Sequence, residues 1–312
     1  MTANLKQKNK NLISNPKILV LLGPTATGKT SLSIELAKKF NGEIISADSR
    51  QVYRGLDLGS GKVTKKEMAS IPHHLLDVAD PKKQFAVTDF VTLAEKAIAD
   101  ILSRGKLPII CGGTGLYIDM LINGTTLPEV PPNQKLRTQL EKKSALQLFA
   151  ILKKIDPVRA KTIDAKNPVR LVRAIEIAKA IGKVPKIKKV EPRYDVLKIG
   201  LDMSDEVLKS RIAIRLKERL KKGMLREATN LHKKGLSWLR MESLGLEYRE
   251  MAKLLTKKTT RNVFEEELAM DIWHYVKRQR TWFRRDEKIV WINPTKKSEV
   301  SKTTKAIKDF LR

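Results

Sequence analysis

A stretch near the amino terminus combines two glycines, a lysine and a threonine at the spacing of a phosphate-binding loop. Residues 23–30, GPTATGKT, fill every fixed position of the pattern G-x-x-x-x-G-K-[ST]. In such a loop the glycines let backbone N–H groups converge on oxyanions at a helix N-terminus, and the lysine adds a point charge. The threonine hydroxyl can bind Mg²⁺. We expect phosphate binding by Gly23, Thr25, Ala26, Thr27, Gly28, Lys29 and Thr30, with Thr30 as the Mg²⁺ ligand.

An acidic residue follows the next apolar run of the chain. Asp48 comes just after Glu43–Ser46, which reads as a second strand. In a doubly wound sheet the carboxyl ends of the strands open onto the ligand crevice, so we expect Asp48 beside the phosphate loop. A carboxylate in that place can bind a metal or accept a proton. Alternatively, Asp48 is a helix N-cap, a position that aspartate favours.

A glycine-rich segment follows a third apolar run. Gly112, Gly113 and Thr114 come directly after Leu107–Cys111, where an ordinary phosphate-loop ATPase would carry a metal-binding aspartate. Two glycines and a threonine indicate close approach of the backbone to a ligand, although a plain glycine turn is the alternative. The missing acid argues against ATP hydrolysis.

A long amphipathic helix is predicted to begin near Asn262, with Glu265 as its capping-box partner. One face is apolar and another is cationic, and an amide and an indole lie among the cations. The apolar stripe is Leu268, Ile272 and Val276, and the cationic stripe is Lys277, Arg280 and Arg284. The interleaved Gln279 and Trp282 can read or stack on unpaired bases. A merely solvated charged face is the alternative.

The strand-like runs alternate with helical stretches, which predicts an α/β protein with a doubly wound parallel sheet. The predicted strands are Lys17–Leu22, Glu43–Ser46, Leu107–Cys111, Val196–Leu201 and Lys288–Ile292, and the clearest helices are Ser31–Phe40 and Val87–Arg104. A proline-bounded, mostly helical stretch separates the third strand from the fourth. We therefore expect a phosphate-loop core of residues 1–122 and 193–312, a small inserted helical domain of residues 123–192, and a helical C-terminal part.

The charge of the chain predicts a polyanionic partner. Sixty-three Lys+Arg against thirty-four Asp+Glu give a formal net charge of +29, and residues 123–200 alone hold eighteen basic and seven acidic residues. Nucleic acid is the natural candidate, and a generally basic, solvated surface is the alternative. The single Cys111 excludes an intramolecular disulfide and a multi-cysteine zinc site. With no apolar run of the ~18 residues that a membrane span needs, we expect a soluble cytoplasmic protein without a membrane partner.

These motifs together closely resemble the tRNA dimethylallyltransferases, also called tRNA isopentenyltransferases. The matching blocks stand in family order: GPTATGKT at 23–30, DSRQVYRGLDLGSGK at 48–62, PHHLLDVADP at 72–81, GGTGLY at 112–117, NPVRLVRAIEI at 167–177 and YVKRQRTWFRRD at 275–286. The resemblance implies transfer of a five-carbon prenyl group from dimethylallyl pyrophosphate to N6 of the adenine just 3′ of the anticodon. The sequence lacks the zinc finger of some eukaryotic members, which favours the bacterial type.

The resemblance also implies roles for particular residues. Lys29 and Thr30 would hold pyrophosphate and Mg²⁺, and Thr114 would contact the reacting centre. Arg215 matches a family arginine that binds the leaving pyrophosphate. Since the exocyclic amine is a poor nucleophile, we assign Asp48 as the general base that accepts its proton.

The tRNA anticodon stem-loop is the expected macromolecular partner, bound by a monomer. The expected tRNA contacts are Ser49, Arg50, Gln51, Arg170, Arg173, Lys277, Arg278, Gln279, Arg280, Thr281, Trp282 and Arg284. A kinase or NTPase on the same fold is the first alternative function. A noncatalytic RNA-binding protein with a vestigial loop is the second.

Overall fold

The computed structural model describes residues 15–124, 128–185 and 192–312. The chain divides into two compact units, Met1–Gly124 with Glu191–Arg312 and Thr125–Val190. The first unit carries the sheet and the phosphate loop, and the second is helical. In chain order the second unit interrupts the first.

A parallel sheet organises the first unit. Its strands are β1 (Lys17–Leu22), β2 (Gly42–Ala47), β3 (His73–His74), β4 (Leu107–Gly112), β5 (Asp195–Leu201) and β6 (Ile289–Ile292). Within the described residues the sheet has six strands in the order β3-β2-β4-β1-β5-β6, and each neighbouring pair is parallel. The five strands predicted from apolar runs are confirmed. The two-residue β3 was not predicted, since it is too short to give a pattern.

Helices occupy most of the remaining chain. In chain order they are α1 (Lys29–Lys39), α2 (Lys65–Met68), α3 (Val87–Ser103), α4 (Gly115–Ile122), α5 (Gln134–Leu140), α6 (Ala145–Ile155), α7 (Pro157–Ala160), α8 (Pro168–Ile181), α9 (Asp205–Lys221), α10 (Met224–Lys233), α11 (Trp238–Leu244), α12 (Leu246–Leu255), α13 (Arg261–Phe283) and α14 (Lys297–Leu311). None of the helices in the described ranges is long and apolar enough to cross a membrane.

Strand β1 is buried on both faces. Its alternate residues enter two different apolar clusters: Val20 packs with residues of α3, and Leu21 packs with residues of α1. Because side chains alternate across a strand, the two clusters lie on opposite faces of the sheet. Helices therefore cover both faces, which explains why β1 reads as a continuous apolar run.

The register of the central strands aligns their ends. Strand β4 pairs with β1 at Gly112 and Leu22, and with β2 at Gly112 and Ala47. The loops that follow these three strands therefore begin side by side at the carboxyl edge of the sheet. Asp48, the first residue beyond β2, lies at this edge as the sequence predicted.

Helix α13 has the predicted apolar face, because Leu268, Ile272 and Val276 are buried. It begins at Arg261, one residue before the predicted start, but the predicted capping box was wrong. The N-cap is Thr260, whose side chain makes no capping hydrogen bond. The expected capping-box partner, Glu265, accepts a hydrogen bond from Arg261 instead, at 2.6 Å. An i,i+4 ion pair thus replaces the predicted cap.

The amino end of β2 holds a buried carboxylate, that of Glu43. Arg104, Lys106 and His74 donate hydrogen bonds to it, with Lys106 Nζ at 2.7 Å and His74 Nε2 at 2.8 Å. The hydrogen bond from Arg104 lowers the pKa of Glu43 far below its usual range, despite the opposing effect of burial. The position of His74 is therefore explained by its hydrogen bond to Glu43, without a bound metal ion.

The second unit has its own apolar core and a buried acid. The core comprises Leu140, Leu148, Leu152, Ala160, Leu171, Val172, Ala174 and Ile175. Burial alone would raise the pKa of Glu176, but hydrogen bonds from Arg137, the Asn133 backbone and Arg173 lower it to about 2. Arg173 also donates to the Val130 carbonyl at 2.9 Å. The predicted tRNA contact Arg173 thus has two partners inside this unit, while its side chain stays 36% exposed.

Candidate active site

The phosphate loop connects β1 to α1 and has a backbone that only small residues allow. Gly23 has a φ of +137°, and a Cβ at that position would lie 2.3 Å from the Leu201 carbonyl oxygen. Gly28 has a φ of +90° and is the N-cap of α1. Thr27 is buried and donates to the Pro24 carbonyl at 2.9 Å. Contacts with other residues of the protein therefore fix the backbone conformation of the phosphate loop.

The ammonium of Lys29 lies in the centre of this loop. It donates to the carbonyl oxygens of Gly23 and Pro24, at 2.9 and 2.5 Å. Burial lowers the pKa of Lys29 to about 8, and the positive charge of Arg215 acts in the same direction, while the neighbouring Asp48 opposes the shift. The pKa of Lys29 therefore responds to the charges of both Asp48 and Arg215, the two other charged side chains predicted to act on the substrate.

Two arginines of α9 contact different loops, Arg211 the phosphate loop and Arg215 the segment around Gly61. Arg211 Nη1 lies 3.5 Å from the Ala26 carbonyl oxygen. A Cβ on Gly61 would lie 3.0 Å from Arg215 Nη2, so this second guanidinium closes over the loop that follows Asp48. Arg211 was not predicted. Its spacing of i, i+4 from Arg215 would have placed both on one face of α9.

The carboxylate of Asp48 caps the turn that follows β2. Its Oδ1 accepts hydrogen bonds from the backbone N–H groups of Arg50 and Gln51, at 2.8 and 3.2 Å. This resembles the capping role that the sequence left as an alternative, although the residues that follow form turns rather than an α-helix. The side chain is half-buried, so the cap leaves it accessible to a substrate.

Thr114 joins the loops after β2 and β4. Its hydroxyl accepts a hydrogen bond from Ser49 N at 3.1 Å, and its own N–H donates to the Ala47 carbonyl at 3.2 Å. Tyr275 lies within hydrogen-bonding reach of Thr114, and burial raises its pKa to about 12. Tyr275 is a site residue that sequence reasoning missed. At neutral pH its hydroxyl is protonated and can act as a donor.

Gln279 lies inside the protein rather than on an RNA-facing surface. It is 5% exposed, and both ends of its amide are engaged. Oε1 accepts from Thr25 N at 3.0 Å, and Nε2 donates to the Gly113 carbonyl at 2.9 Å. The expectation that this amide reads a base is corrected, because its donor and acceptor already serve the two loops.

Trp282 lies half-buried one turn further along α13. Its Nε1 donates to Asp119 Oδ2 at 2.8 Å. A Cβ on Gly115 would lie 2.3 Å from the indole Cδ1, so the ring packs directly on the glycine segment. In this structure Trp282 holds α4 and is not a free stacking platform.

Arg280 also differs from its prediction. Its guanidinium donates to Asp202 at 2.8 Å and to the Met203 carbonyl at 2.7 Å, and it pairs with Asp205. The side chain is only 12% exposed. The predicted cationic stripe therefore loses its middle member. Its two remaining members, Lys277 and Arg284, are exposed, as are Arg278 and Thr281, which were predicted as tRNA contacts outside the stripe.

The other predicted tRNA contacts lie in two places. Ser49, Arg50 and Gln51 form the turn after Asp48, where Gln51 Oε1 accepts from Ser46 Oγ at 3.1 Å. Arg170 is exposed in α8 of the second unit.

A carboxylate that the sequence did not single out fixes the next part of this loop. Glu227 accepts backbone hydrogen bonds from Asp57, Leu58 and Gly59, between 2.6 and 3.1 Å. It also accepts from the Tyr248 hydroxyl at 2.8 Å. Since Glu227 is about 170 residues from these three backbone partners, no local pattern could reveal it.

The residues present are compatible with a magnesium ion held through a substrate. The Thr30 side chain is exposed at the start of α1 and offers a hard oxygen ligand, and diphosphate oxygens and water would complete the coordination. Among the described residues no group of three or more His, Cys, Asp or Glu side chains forms a site that could hold a metal without substrate.

Comparison with known proteins identifies the family of the chain. A family model described as IPP transferase matches residues 51–286, and one described as Isopentenyl transferase matches residues 16–82. The chain belongs to the tRNA dimethylallyltransferase family. A tRNA dimethylallyltransferase 2 of Treponema denticola is 48% identical, covering 86% of this chain and 92% of that protein. A tRNA dimethylallyltransferase of Anoxybacillus flavithermus is 42% identical, covering 89% and 91%.

Solved structures of the tRNA dimethylallyltransferase family share the fold. A full-length tRNA isopentenylpyrophosphate transferase of Bacillus halodurans has a TM-score of 0.72 and 35% identity, covering 95% of this chain and 96% of that one. A eukaryotic dimethylallyltransferase, described as acting on tRNA, has a TM-score of 0.76 and 27% identity, covering 94% and 78%. The α/β fold class predicted from the sequence is confirmed.

Proposed function

We propose that the protein transfers the dimethylallyl group of dimethylallyl diphosphate to N6 of adenine 37, the base 3′ of the anticodon in tRNA, and releases diphosphate. The observation that carries this proposal is the meeting of a phosphate loop, Asp48 and Thr114 at the ends of three adjacent strands. The reaction requires a binding site for the diphosphate of the donor and an acceptor for the proton of the amine. Family membership supplies the chemical class.

The phosphate loop would bind the donor through its leaving group. As the allylic C–O bond breaks, the electron pair leaves with the diphosphate, and negative charge grows on its oxygens. Lys29 and Arg215 are the cations that stabilise this charge. Mg²⁺, held by Thr30 and the diphosphate, would supply further neutralisation of the leaving group.

Asp48 would accept the proton of the acceptor amine. The N6 lone pair is delocalised into the adenine ring, so the amine is a poor nucleophile until its proton is removed. As the new C–N bond forms, one N6 proton passes to the carboxylate of Asp48, and the amine ends as a neutral secondary amine. Thr114, bonded to the turn after Asp48, would orient the reacting groups.

The tRNA would be bound mainly through its phosphates. A formal charge of +29 favours a polyanion, and the loop base needs no duplex opening before it enters the site. We propose Lys277, Arg278 and Arg284 as phosphate contacts because they are exposed on one helix and its cap. We further propose that the protein acts as a monomer in the cytoplasm, where its buried thiol Cys111 stays reduced.

Replacing Arg284 with Ala is expected to weaken tRNA binding and to reduce the log–log salt slope of the association constant by about 0.7. Replacing Arg280 with Ala should leave that slope unchanged, because its guanidinium is bonded to Asp202 and Asp205. Removing the guanidinium leaves the partly buried Asp202 carboxylate and the Met203 carbonyl without this partner and should cost about 1–3 kcal/mol of unfolding free energy. Binding titrations from low to high salt and denaturant melts measure the two effects. Equal slopes for Arg284→Ala and the wild type would contradict this assignment.

The function itself is tested by incubating the protein with labelled donor and two anticodon stem-loop RNAs that differ only at position 37. We expect transfer of label to the RNA that carries adenine 37, together with release of diphosphate, and no transfer to the RNA with guanine. Turnover of ATP without labelled RNA would instead indicate a kinase or NTPase. Tight RNA binding without diphosphate release would indicate a noncatalytic protein.

A further inference from the structure

One buried amide connects two loops of the site that are far apart in sequence. The Gln279 amide accepts a hydrogen bond from Thr25 N in the phosphate loop. It donates another to the Gly113 carbonyl in the loop after β4. The sequence separations are 254 and 166 residues. We infer that Gln279 is a positioning residue that holds the diphosphate cradle and the Thr114 loop at a fixed separation.

The space around the Gln279 amide is shaped closely to this side chain. A Cβ on Gly113 would lie 2.2 Å from Gln279 Nε2, which is impossible for real atoms, so Gly113 leaves the space that the amide fills. Gln279 is 5% exposed, so its amide is shielded from solvent. Without the amide, the Thr25 N–H and the Gly113 carbonyl would each lose a partner, and unpaired backbone groups are destabilising.

The two hydrogen bonds of Gln279, here called the bridge, also link these loops to α13, the helix that carries the exposed cations. Gln279 lies on α13 between Lys277 and Arg284, and Trp282 of the same helix holds Asp119 of α4. A displacement of α13 on its exposed side would therefore be transmitted to the phosphate loop. This step rests on the proposed function, since it assigns the exposed side of α13 to RNA.

Gln279 has no chemical group that could take part in the reaction itself. An amide has no useful pKa for proton transfer, and both polar ends of Gln279 are bonded to backbone. Its effect must come from geometry. Because small displacements of reacting groups lower rates steeply, we expect loss of the bridge to reduce turnover more than substrate binding.

Two substitutions separate the donor and acceptor halves of the amide. Gln279→Met keeps a similar length and volume and removes both hydrogen bonds. Gln279→Glu keeps an acceptor for Thr25 N but faces the Gly113 carbonyl with a second acceptor. We expect kcat to fall about tenfold or more in both variants, while KM for the stem-loop RNA changes less than threefold. We also expect the Kd of inorganic diphosphate, measured by calorimetry with Mg²⁺, to rise at least about fivefold in Gln279→Met.

Glu43→Gln is the matched control for stability. It removes the negative charge and one of the two accepting oxygens of a buried carboxylate at the opposite end of β2, away from the phosphate loop. It should lower the melting temperature while leaving kcat and the diphosphate Kd within twofold of the wild type. If folded Gln279→Met kept both quantities within twofold as well, the positioning role would be overturned. If the wild type transferred no prenyl group, the proposed function would fail, and the diphosphate Kd would still decide the role of Gln279.

Discussion

Replacing Asp48 with Asn is expected to lower turnover at least about a hundredfold while tRNA affinity stays within a few-fold. In this structure Asp48→Asn is a more specific test of proton transfer than truncation to alanine. Asp48 Oδ1 accepts from Arg50 N and Gln51 N, and an Asn side chain retains an oxygen for those two bonds. Asn therefore keeps the turn but cannot accept the amine proton. Single-turnover transfer of labelled prenyl group and RNA binding titrations measure the two quantities.

Asp48→Ala is the companion variant, because it removes both the turn cap and the proton acceptor. If Asp48 acts as the base, the Asn and Ala variants should be similarly inactive. If its only role is to cap the turn, Asp48→Asn should be nearly as active as the wild type and Asp48→Ala should be impaired. Near-normal turnover of the Asn variant would remove Asp48 from proton transfer.

Replacing Lys29 with Ala should lower kcat/KM for the donor by about 10²–10³, the usual cost of losing one preorganised group that stabilises developing charge. In the free protein the ammonium bonds the Gly23 and Pro24 carbonyls, at the centre of the loop. Lys38→Ala provides the control, since Lys38 lies in the last turn of the same helix and is exposed. Initial rates at varied donor concentration give the comparison. Equal kcat/KM values for the two variants would place the diphosphate elsewhere.

Donor affinity should also depend on pH through Lys29. Burial lowers its pKa to about 8 in the free protein, and a bound diphosphate must raise that pKa again. Below pH 8 the ammonium is charged in both states, so affinity does not depend on this group. Above pH 8 binding requires uptake of a proton, and the Kd of a thiolodiphosphate donor analogue should rise about tenfold per pH unit.

Lys29→Arg tests the origin of that pH dependence, because a guanidinium stays protonated throughout the range. The variant should show a flat Kd between pH 8 and 9.5, even if its overall affinity is lower. Ionisation of the analogue itself affects both proteins alike and cancels in the comparison. A rise in Kd that is the same for both proteins would assign the pH dependence to another group.

The sheet and its reactive edge were largely predictable from the sequence. Five strands have apolar runs or flanking turns that identify them, and the parallel arrangement alone places Asp48 and Gly113 beside the phosphate loop. The phosphate loop was also predictable, because its motif consists of residues that are neighbours in sequence. These features depend on short stretches of chain, where periodicity and backbone conformation dominate.

The partners of the polar side chains were not predictable in the same way. Helical periodicity placed Arg280 on a cationic face, but the acids that neutralise it, Asp202 and Asp205, come from another part of the chain. Gln279 was expected to face RNA, although its bonds are to backbone groups more than 160 residues away. Only the tertiary packing of α13 on the loops decides whether such a side chain faces solvent or the interior.

The strand order sets the separation between the two halves of the proposed site. Strand β4 lies between β1 and β2, and neighbouring strands are about 4.8 Å apart, so the phosphate loop and Asp48 begin roughly 10 Å from each other. Under the proposed function, a donor held by its diphosphate in the loop therefore has to extend past the end of β4 to meet an amine beside Asp48. The short glycine segment that follows β4 leaves the least side-chain bulk along that line.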